Sequence, residues 1–287
     1  MLSKMAPTKI LVTGGNTGIG FEVVKALLQS SKPSRIFLGS RSLQNANDAI
    51  TKLRQEVSSI ANTVEPLQVD LDSDESIEKA YEQLKSDPGY LDTLVNNAGK
   101  LIRHHLDVYS QHADPSGASF DLAFLDGSIS LRESMTRSYN INVAGTHVLT
   151  HTLIPLLKQS SEPRLIFISG LAAINQAAKN YFPTPPQPAG WPKNIPFETI
   201  GYRCSKVAMN MLMLDYNHKL KEDGVKVFAV GPGMNATSLG RSPERTKDMV
   251  AHLNHPSHGG QIIRSVVEGE RDADVGKIVG KDGIVDW

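Results

Sequence analysis

Cysteine is nearly missing from this chain. Cys204 is the only one in 287 residues, so no disulfide can form within it. That usage fits a reducing compartment. Surplus charge is missing too: 30 Lys and Arg balance 30 Asp and Glu, for a formal net charge of zero. Without a basic block or interleaved aromatic and basic residues, nucleic acid is not an expected partner. No apolar run is long enough to span a bilayer, and residues 1–9 contain no signal-peptide core. The final Ile284-Val285-Asp286-Trp287 matches no retention or peroxisomal tag. A cytoplasmic protein with no membrane partner is expected. No linker divides the sequence and no internal repeat appears, so one domain over residues 1–287 is expected. The hydrophobic content of 40% is enough for one large core.

What is present begins with Val12-Thr13-Gly14-Gly15-Asn16-Thr17-Gly18-Ile19-Gly20. It lies between the apolar run Ile10, Leu11, Val12 and an amphipathic run from Phe21 to Leu28. That order predicts a strand, a glycine turn and a helix start. Such a turn gathers unpaired backbone N–H groups and the positive end of a helix dipole, where a diphosphate binds well. Gly14 would permit the tight turn, Gly18 the approach to phosphate, and Gly20 close packing of helix on strand. The spacing Gly-x-x-x-Gly-x-Gly is a weak signal alone, compatible with a plain β–α turn.

The pattern continues downstream. Arg35-Ile36-Phe37-Leu38 predicts a second strand, ending at Gly39-Ser40-Arg41. Leu43, Ala46, Ile50, Leu53, Val57 and Ile60 recur at helical spacing. Further strands are expected at 64–69, 91–95, 165–168 and 225–230, and helices around 77–84, 131–158 and 200–222. Alternating strands and helices predict an α/β fold, a doubly wound, Rossmann-like parallel sheet with helices on both faces. Two stretches break the rhythm, at about 100–130 and 171–200. The second holds Pro183, Pro185, Pro186 and Pro188, which exclude regular helix or a central strand there. Both are expected to be irregular insertions. The tail is expected to hold helical pieces.

Tyr202-Arg203-Cys204-Ser205-Lys206 is the second informative site. A Tyr and a Lys at this spacing share one helix face. A phenol has a pKa near 10. A neighbouring ammonium favours phenolate and lowers that value, making the pair a usable general acid. The spacing alone also occurs in ordinary helices.

Taken together, these motifs resemble the short-chain dehydrogenases/reductases over nearly the whole chain. Thr13 to Gly20 matches the cofactor turn, with Gly14, Asn16, Thr17, Gly18, Ile19 and Gly20 as cofactor contacts. Asp70-Leu71 matches the pair beside the adenine. Asn96-Asn97-Ala98-Gly99 matches the family's Asn-Asn-Ala-Gly, placing Asn97, Ala98 and Gly99 near the cofactor. Asn142 matches the helix asparagine that holds a relay water, and Tyr202 and Lys206 the acid–base pair. Pro232-Gly233 with Thr237 matches the loop at the nicotinamide amide. The resemblance implies reduction of a ketone or aldehyde: hydride from NAD(P)H, a proton from Tyr202, and Lys206 holding the ribose and lowering the Tyr202 pKa. A serine at the end of the fifth strand should hold the substrate oxygen. The family often has Ser-Ser there, but this chain has Ser169-Gly170. An ungapped register puts Gly170 in the catalytic place, whereas a one-residue adjustment restores Ser169, and Ser169 is the expected catalytic residue.

Ser40 and Arg41 stand where NAD-binding members carry an acidic residue for the ribose 2′-hydroxyl. A hydroxyl and a guanidinium suit a 2′-phosphate, so NADP(H) is the expected cofactor. Thr17 is a weaker match, because many NADP members have a basic residue in the turn. The Pro-rich segment before Tyr202 resembles that of monomeric carbonyl reductases, which implies a monomer with a small carbonyl or alcohol substrate. A catalytically impaired NADP-binding sensor or scaffold is the alternative. No metal is expected: His252, His255 and His258 lack interleaved carboxylates and Pro256 interrupts their helix. Met209, Met211 and Met213 are expected to fill core, and Cys204 to be a packed thiol.

Overall fold

The computed structural model describes residues 6–57, 62–99, 120–125, 127–170, 174–179, 181, 187–193, 199–236 and 253–287. Strands β1 (Thr8–Val12), β2 (Ser34–Ser40), β3 (Thr63–Gln68), β4 (Thr93–Asn96), β5 (Arg164–Ile168), β6 (Lys226–Val230), β7 (Ile278–Gly280) and β8 (Gly283–Val285) form one sheet in the order β3-β2-β1-β4-β5-β6-β7-β8. All pairs are parallel except β7 with β8, which closes the edge antiparallel. Six of these strands fall where the apolar runs placed them. The last two were not legible, because three residues are too few to show a period and the tail reads as helix.

Helices cover both faces. Side chains alternate along each strand, so Leu165 and Phe167 of β5 enter one core and Ile166 and Ile168 the other. The first core receives α3 (Asp74–Ser86), α6 (Thr146–Leu157) and α8 (Ile200–Leu220). The second receives α1 (Gly18–Leu28), α2 (Leu43–Glu56) and α9 (Pro256–Val267 in the tail). The strands are apolar on both faces because both are covered, as a doubly wound sheet requires. Among the described residues, no helix is long and apolar enough to cross a membrane.

Helices α4 (Phe120–Leu125) and α5 (Leu131–Tyr139) pack beside α8, and α7 (Ile174–Lys179) follows β5, where the Asn175 N–H donates to the Trp287 carbonyl at 2.6 Å. Helices α4 and α7 lie inside the two stretches expected to be irregular, and most of the remainder of those stretches lies outside the described residues. The helical pattern expected over 131–158 is two helices joined by a wide π-helical turn, Asn140–Gly145. Met209 and Met213 are core residues as expected, but Met211 points outward. Pro256 begins α9 rather than breaking a helix, since its missing N–H costs nothing at a first position.

Strand order reverses between β1 and β4, so the loops leaving those two strands diverge and open a crevice at the sheet's carboxyl edge. Every element of the site meets there.

Candidate active site

The glycine turn leaves β1 and enters α1 directly. Gly14 and Gly18 take positive φ values of 62° and 56°, a backbone that side chains resist. Gly20 has a different role from strand packing alone. A Cβ on it would lie 2.3 Å from the Gly14 carbonyl oxygen and 2.4 Å from the Asn97 amide nitrogen. The N-cap of α1, Thr17, makes no side-chain capping bond. The first N–H groups of a helix have no partner inside it, so the head of α1 is free to receive an anion.

Asn97 is a brace as much as a contact. Its side-chain amide donates to the Thr13 carbonyl at 2.8 Å. Thr13 Oγ1 accepts from the Asn97 N–H at 3.0 Å and from the Ala98 N–H at 2.9 Å. The buried Asn96 amide donates to Thr150 of α6 at 2.9 Å. At the end of β2, Ser40 is buried and its hydroxyl accepts from the Ser42 N–H at 3.3 Å, leaving its own proton available. Arg41 is exposed, and its guanidinium has no acidic partner among the described residues. Asp70 is half-buried and accepts from the Asp72 N–H at 3.1 Å, and Leu71 is buried beside it. Ser40, Arg41, Asp70 and Leu71 therefore share one region of the carboxyl edge, because Ser40 pairs with Gln68 and its carbonyl accepts the Val69 N–H.

Pro232 and Gly233 follow β6. Their carbonyls accept from the Asn235 amide at 3.0 and 2.9 Å, a loop tie that the motif did not reveal. Thr237 lies outside the described residues.

Tyr202 and Lys206 stand one turn apart on α8. The Lys206 ammonium is 3% exposed and donates to the Ile168 carbonyl at 2.8 Å, which pins α8 to the end of β5. It lies 5.7 Å from the centre of the Tyr202 ring. Asn142, in the π-helical turn, donates to Ser205 Oγ at 2.9 Å, and Ser205 donates to the Tyr202 carbonyl at 2.7 Å. A Cβ on Gly99 would meet both Asn142 Oδ1, at 3.2 Å, and Lys206 Nζ, at 3.4 Å. Asn142, Lys206 and Gly99 thus converge on one spot behind Tyr202.

Two expectations need correction. The Lys206 charge was expected to lower the Tyr202 pKa; instead burial pushes Tyr202 up to about 12, although the ring keeps a solvent edge. Burial also lowers Lys206 to about 8. Desolvation disfavours the charged form of each group and is the cause of both shifts. The second correction concerns Ser169. It follows Phe167 by two residues and so faces α8, where its hydroxyl donates to Asn210 Oδ1 at 2.8 Å. A Cβ on Gly170 would sit 2.8 Å from the Tyr202 hydroxyl. Gly170 rather than Ser169 lies against the Tyr202 hydroxyl.

Fold and site together describe a protein that binds a dinucleotide at a strand-order switch and sets a Tyr–Lys pair beside it. Comparison with known proteins agrees. The model of the short chain dehydrogenase family matches residues 8–181. The short-chain dehydrogenase/reductase tropE of Talaromyces stipitatus is 41% identical over 278 residues, 96% of each chain. The chain belongs to the short-chain dehydrogenase/reductase family, a family of oxidoreductases. Among solved structures, NADPH-bound carbonyl reductase from chicken fatty liver is similar with a TM-score of 0.72 at 22% identity, covering 99% of this chain and 100% of that one. The 3-ketoacyl-(acyl-carrier-protein) reductase of Brucella melitensis, complexed with NADH, is similar at 0.67 and 16%, covering 95% and 96%. Both likenesses are to the fold.

Two outcomes are expected from this geometry. Gly170→Ala should cut turnover by ~10- to 100-fold, because a displacement of the Tyr202 hydroxyl on the ångström scale is costly. Ser169→Ala should instead cost about 1 kcal/mol of stability for its lost bond to Asn210, with turnover little changed. Steady-state rates and thermal melts of the two variants decide this, and the reverse ranking would return the catalytic place to Ser169. The second outcome concerns pH. Tyr202 stays protonated through the neutral and mildly basic range, so any loss of reductive turnover there should follow Lys206. Turnover should fall as pH rises through about 8, where Lys206 loses its proton. A pH–rate profile of Lys206→Arg, whose guanidinium remains charged, should lack that fall wherever activity is retained.

Proposed function

We propose that this protein reduces a ketone or aldehyde to an alcohol with NADPH. The observation that carries the reading is the placement of the Tyr202 hydroxyl over Gly170, with Lys206 buried one turn behind it and tied to the Ile168 carbonyl. The residues present fit a nicotinamide dinucleotide: a helix head after a glycine turn whose N-cap makes no side-chain bond, and a guanidinium at the end of β2 with no acidic partner among the described residues. NADPH, when bound, supplies the hydride to the carbonyl carbon. The substrate oxygen gains a proton from Tyr202. Lys206 supplies positive charge as the phenol proton leaves, and its remaining N–H donors suit ribose hydroxyls. Gly99 lets Asn142 Oδ1 and Lys206 Nζ approach the same spot, since a Cβ there would lie 3.2 and 3.4 Å from them.

The NADPH-bound carbonyl reductase supports the cofactor assignment, and the NADH complex of the Brucella reductase marks the alternative that the same fold accepts. The preference for NADPH rests on Ser40 and Arg41. A charge-assisted contact contributes ~1.5–3 kcal/mol, or roughly 10- to 100-fold in affinity. Arg41→Ala should raise the NADPH Michaelis constant by that order and leave NADH nearly unchanged. Equal use of both cofactors by the native protein would refute the phosphate clamp. For the chemistry itself, oxidation of NADPH is followed with a panel of ketones and aldehydes. Tyr202→Phe should lower turnover by ~10²- to 10⁴-fold, the usual range for general acid catalysis, while fluorescence titration shows NADPH still bound. Binding of NADPH with no reduction of any carbonyl would favour the sensor or scaffold reading.

A further inference from the structure

The N-terminus of α8 is capped from another helix. Thr199, the N-cap, makes no side-chain capping bond. An N-cap side chain ordinarily serves the N–H of the second or third helical residue. Here those are Gly201 and Tyr202, and both donate to Asp121: Gly201 to Oδ1 at 2.8 Å and Tyr202 to Oδ2 at 3.0 Å. Asp121 comes from α4, some 80 residues earlier in the chain, and is 2% exposed. Ser134 of α5 donates to the same Oδ1 at 3.3 Å. The approach needs a glycine at 201, since a Cβ there would lie 2.7 Å from Asp121 Oδ1.

A carboxylate at the positive end of a helix makes short, charge-assisted bonds to the free N–H groups and is favoured by the dipole. What sets this one apart is its target. The Tyr202 N–H is held by Asp121, and the Tyr202 carbonyl is held by Ser205, which is in turn held by Asn142. The main chain of the tyrosine is thus fixed on both sides by groups outside its helical hydrogen-bond ladder. We propose that Asp121 is a positioning residue: it caps α8 from another helix and so sets where the Tyr202 hydroxyl stands. This gives α4 a role in the reaction, anchoring the catalytic helix. The inference rests on the reading of Tyr202 as proton donor.

The test is a double-mutant cycle. Asp121→Ala and Asp121→Asn are made in the native chain and in Tyr202→Phe. Three quantities are read: turnover with NADPH and a ketone or aldehyde substrate, NADPH affinity by fluorescence titration, and amide hydrogen exchange of peptides spanning residues 200–206. Asp121→Ala should lower turnover ~10- to 100-fold, as an ångström-scale misplacement does. NADPH affinity should stay within about twofold, since uniform binding is not what the cap supplies. Exchange at residues 201 and 202 should quicken. In the Tyr202→Phe background the same change should cost nothing further, because residues that act as a unit are not additive. Asp121→Asn keeps one acceptor oxygen and should fall between; it carries the test if the alanine variant does not fold. Native turnover in Asp121→Ala, or an equal further loss in Tyr202→Phe, overturns the proposal while leaving Tyr202 as donor. Native turnover in Tyr202→Phe overturns both.

Discussion

Thr13 holds the two halves of the cofactor crevice together. Its hydroxyl donates to the Val95 carbonyl at 3.2 Å while accepting from the N–H groups of Asn97 and Ala98. One buried side chain thereby replaces the backbone pairing that β1 and β4 must give up as their loops diverge. The Asn97 amide returns the favour by binding the Thr13 carbonyl. Buried polar groups that lack partners are costly, so this closed set of bonds is what allows strand order to reverse here. The crevice, the free head of α1 and the convergence of Gly99 on Lys206 and Asn142 all follow from that arrangement.

The second organising feature is the way α8 is attached. Its apolar face packs through Met209, Met213 and Tyr216, which settles its position across the sheet. Packing alone does not settle where its first turn points. That is done by polar contacts: Lys206 to the Ile168 carbonyl, the Asn142–Ser205 pair, and Asp121 at the head. The π-helical turn at Asn140–Gly145 is part of the same solution. Such turns often occur at functional sites because the extra residue re-aims a side chain, and here the side chain is Asn142.

Much of this was legible in the sequence. Apolar runs and their spacing gave six strands and the doubly wound class, and the glycine turn, the Asn-Asn-Ala-Gly run and the Tyr–Lys pair converge at one edge as expected. The rest was hidden for identifiable reasons. Strands β7 and β8 are too short to carry a period. The role of Asp121 depends on a contact across 80 residues, and an aspartate next to a phenylalanine in a polar stretch gives no local sign of it. The choice between Ser169 and Gly170 turned on a single step of strand register, which flips a side chain between faces. Strand parity puts Ser169 on the α8 face with Leu165 and Phe167, but opposite Asn210, two turns beyond Tyr202, and that placement is not visible in the sequence.

The pKa shifts could not have been read from spacing, because they depend on burial. A lysine beside a tyrosine suggests a phenol made easier to ionise. In the folded chain burial moves both groups toward neutrality, Tyr202 to about 12 and Lys206 to about 8. At neutral pH the phenol is still protonated and the ammonium still charged. That is the state reduction consumes: a loaded donor, with a cation placed to stabilise the phenolate as it forms. The same burial holds Lys206 against the end of β5 and leaves a protonated phenol beside a charged ammonium at neutral pH.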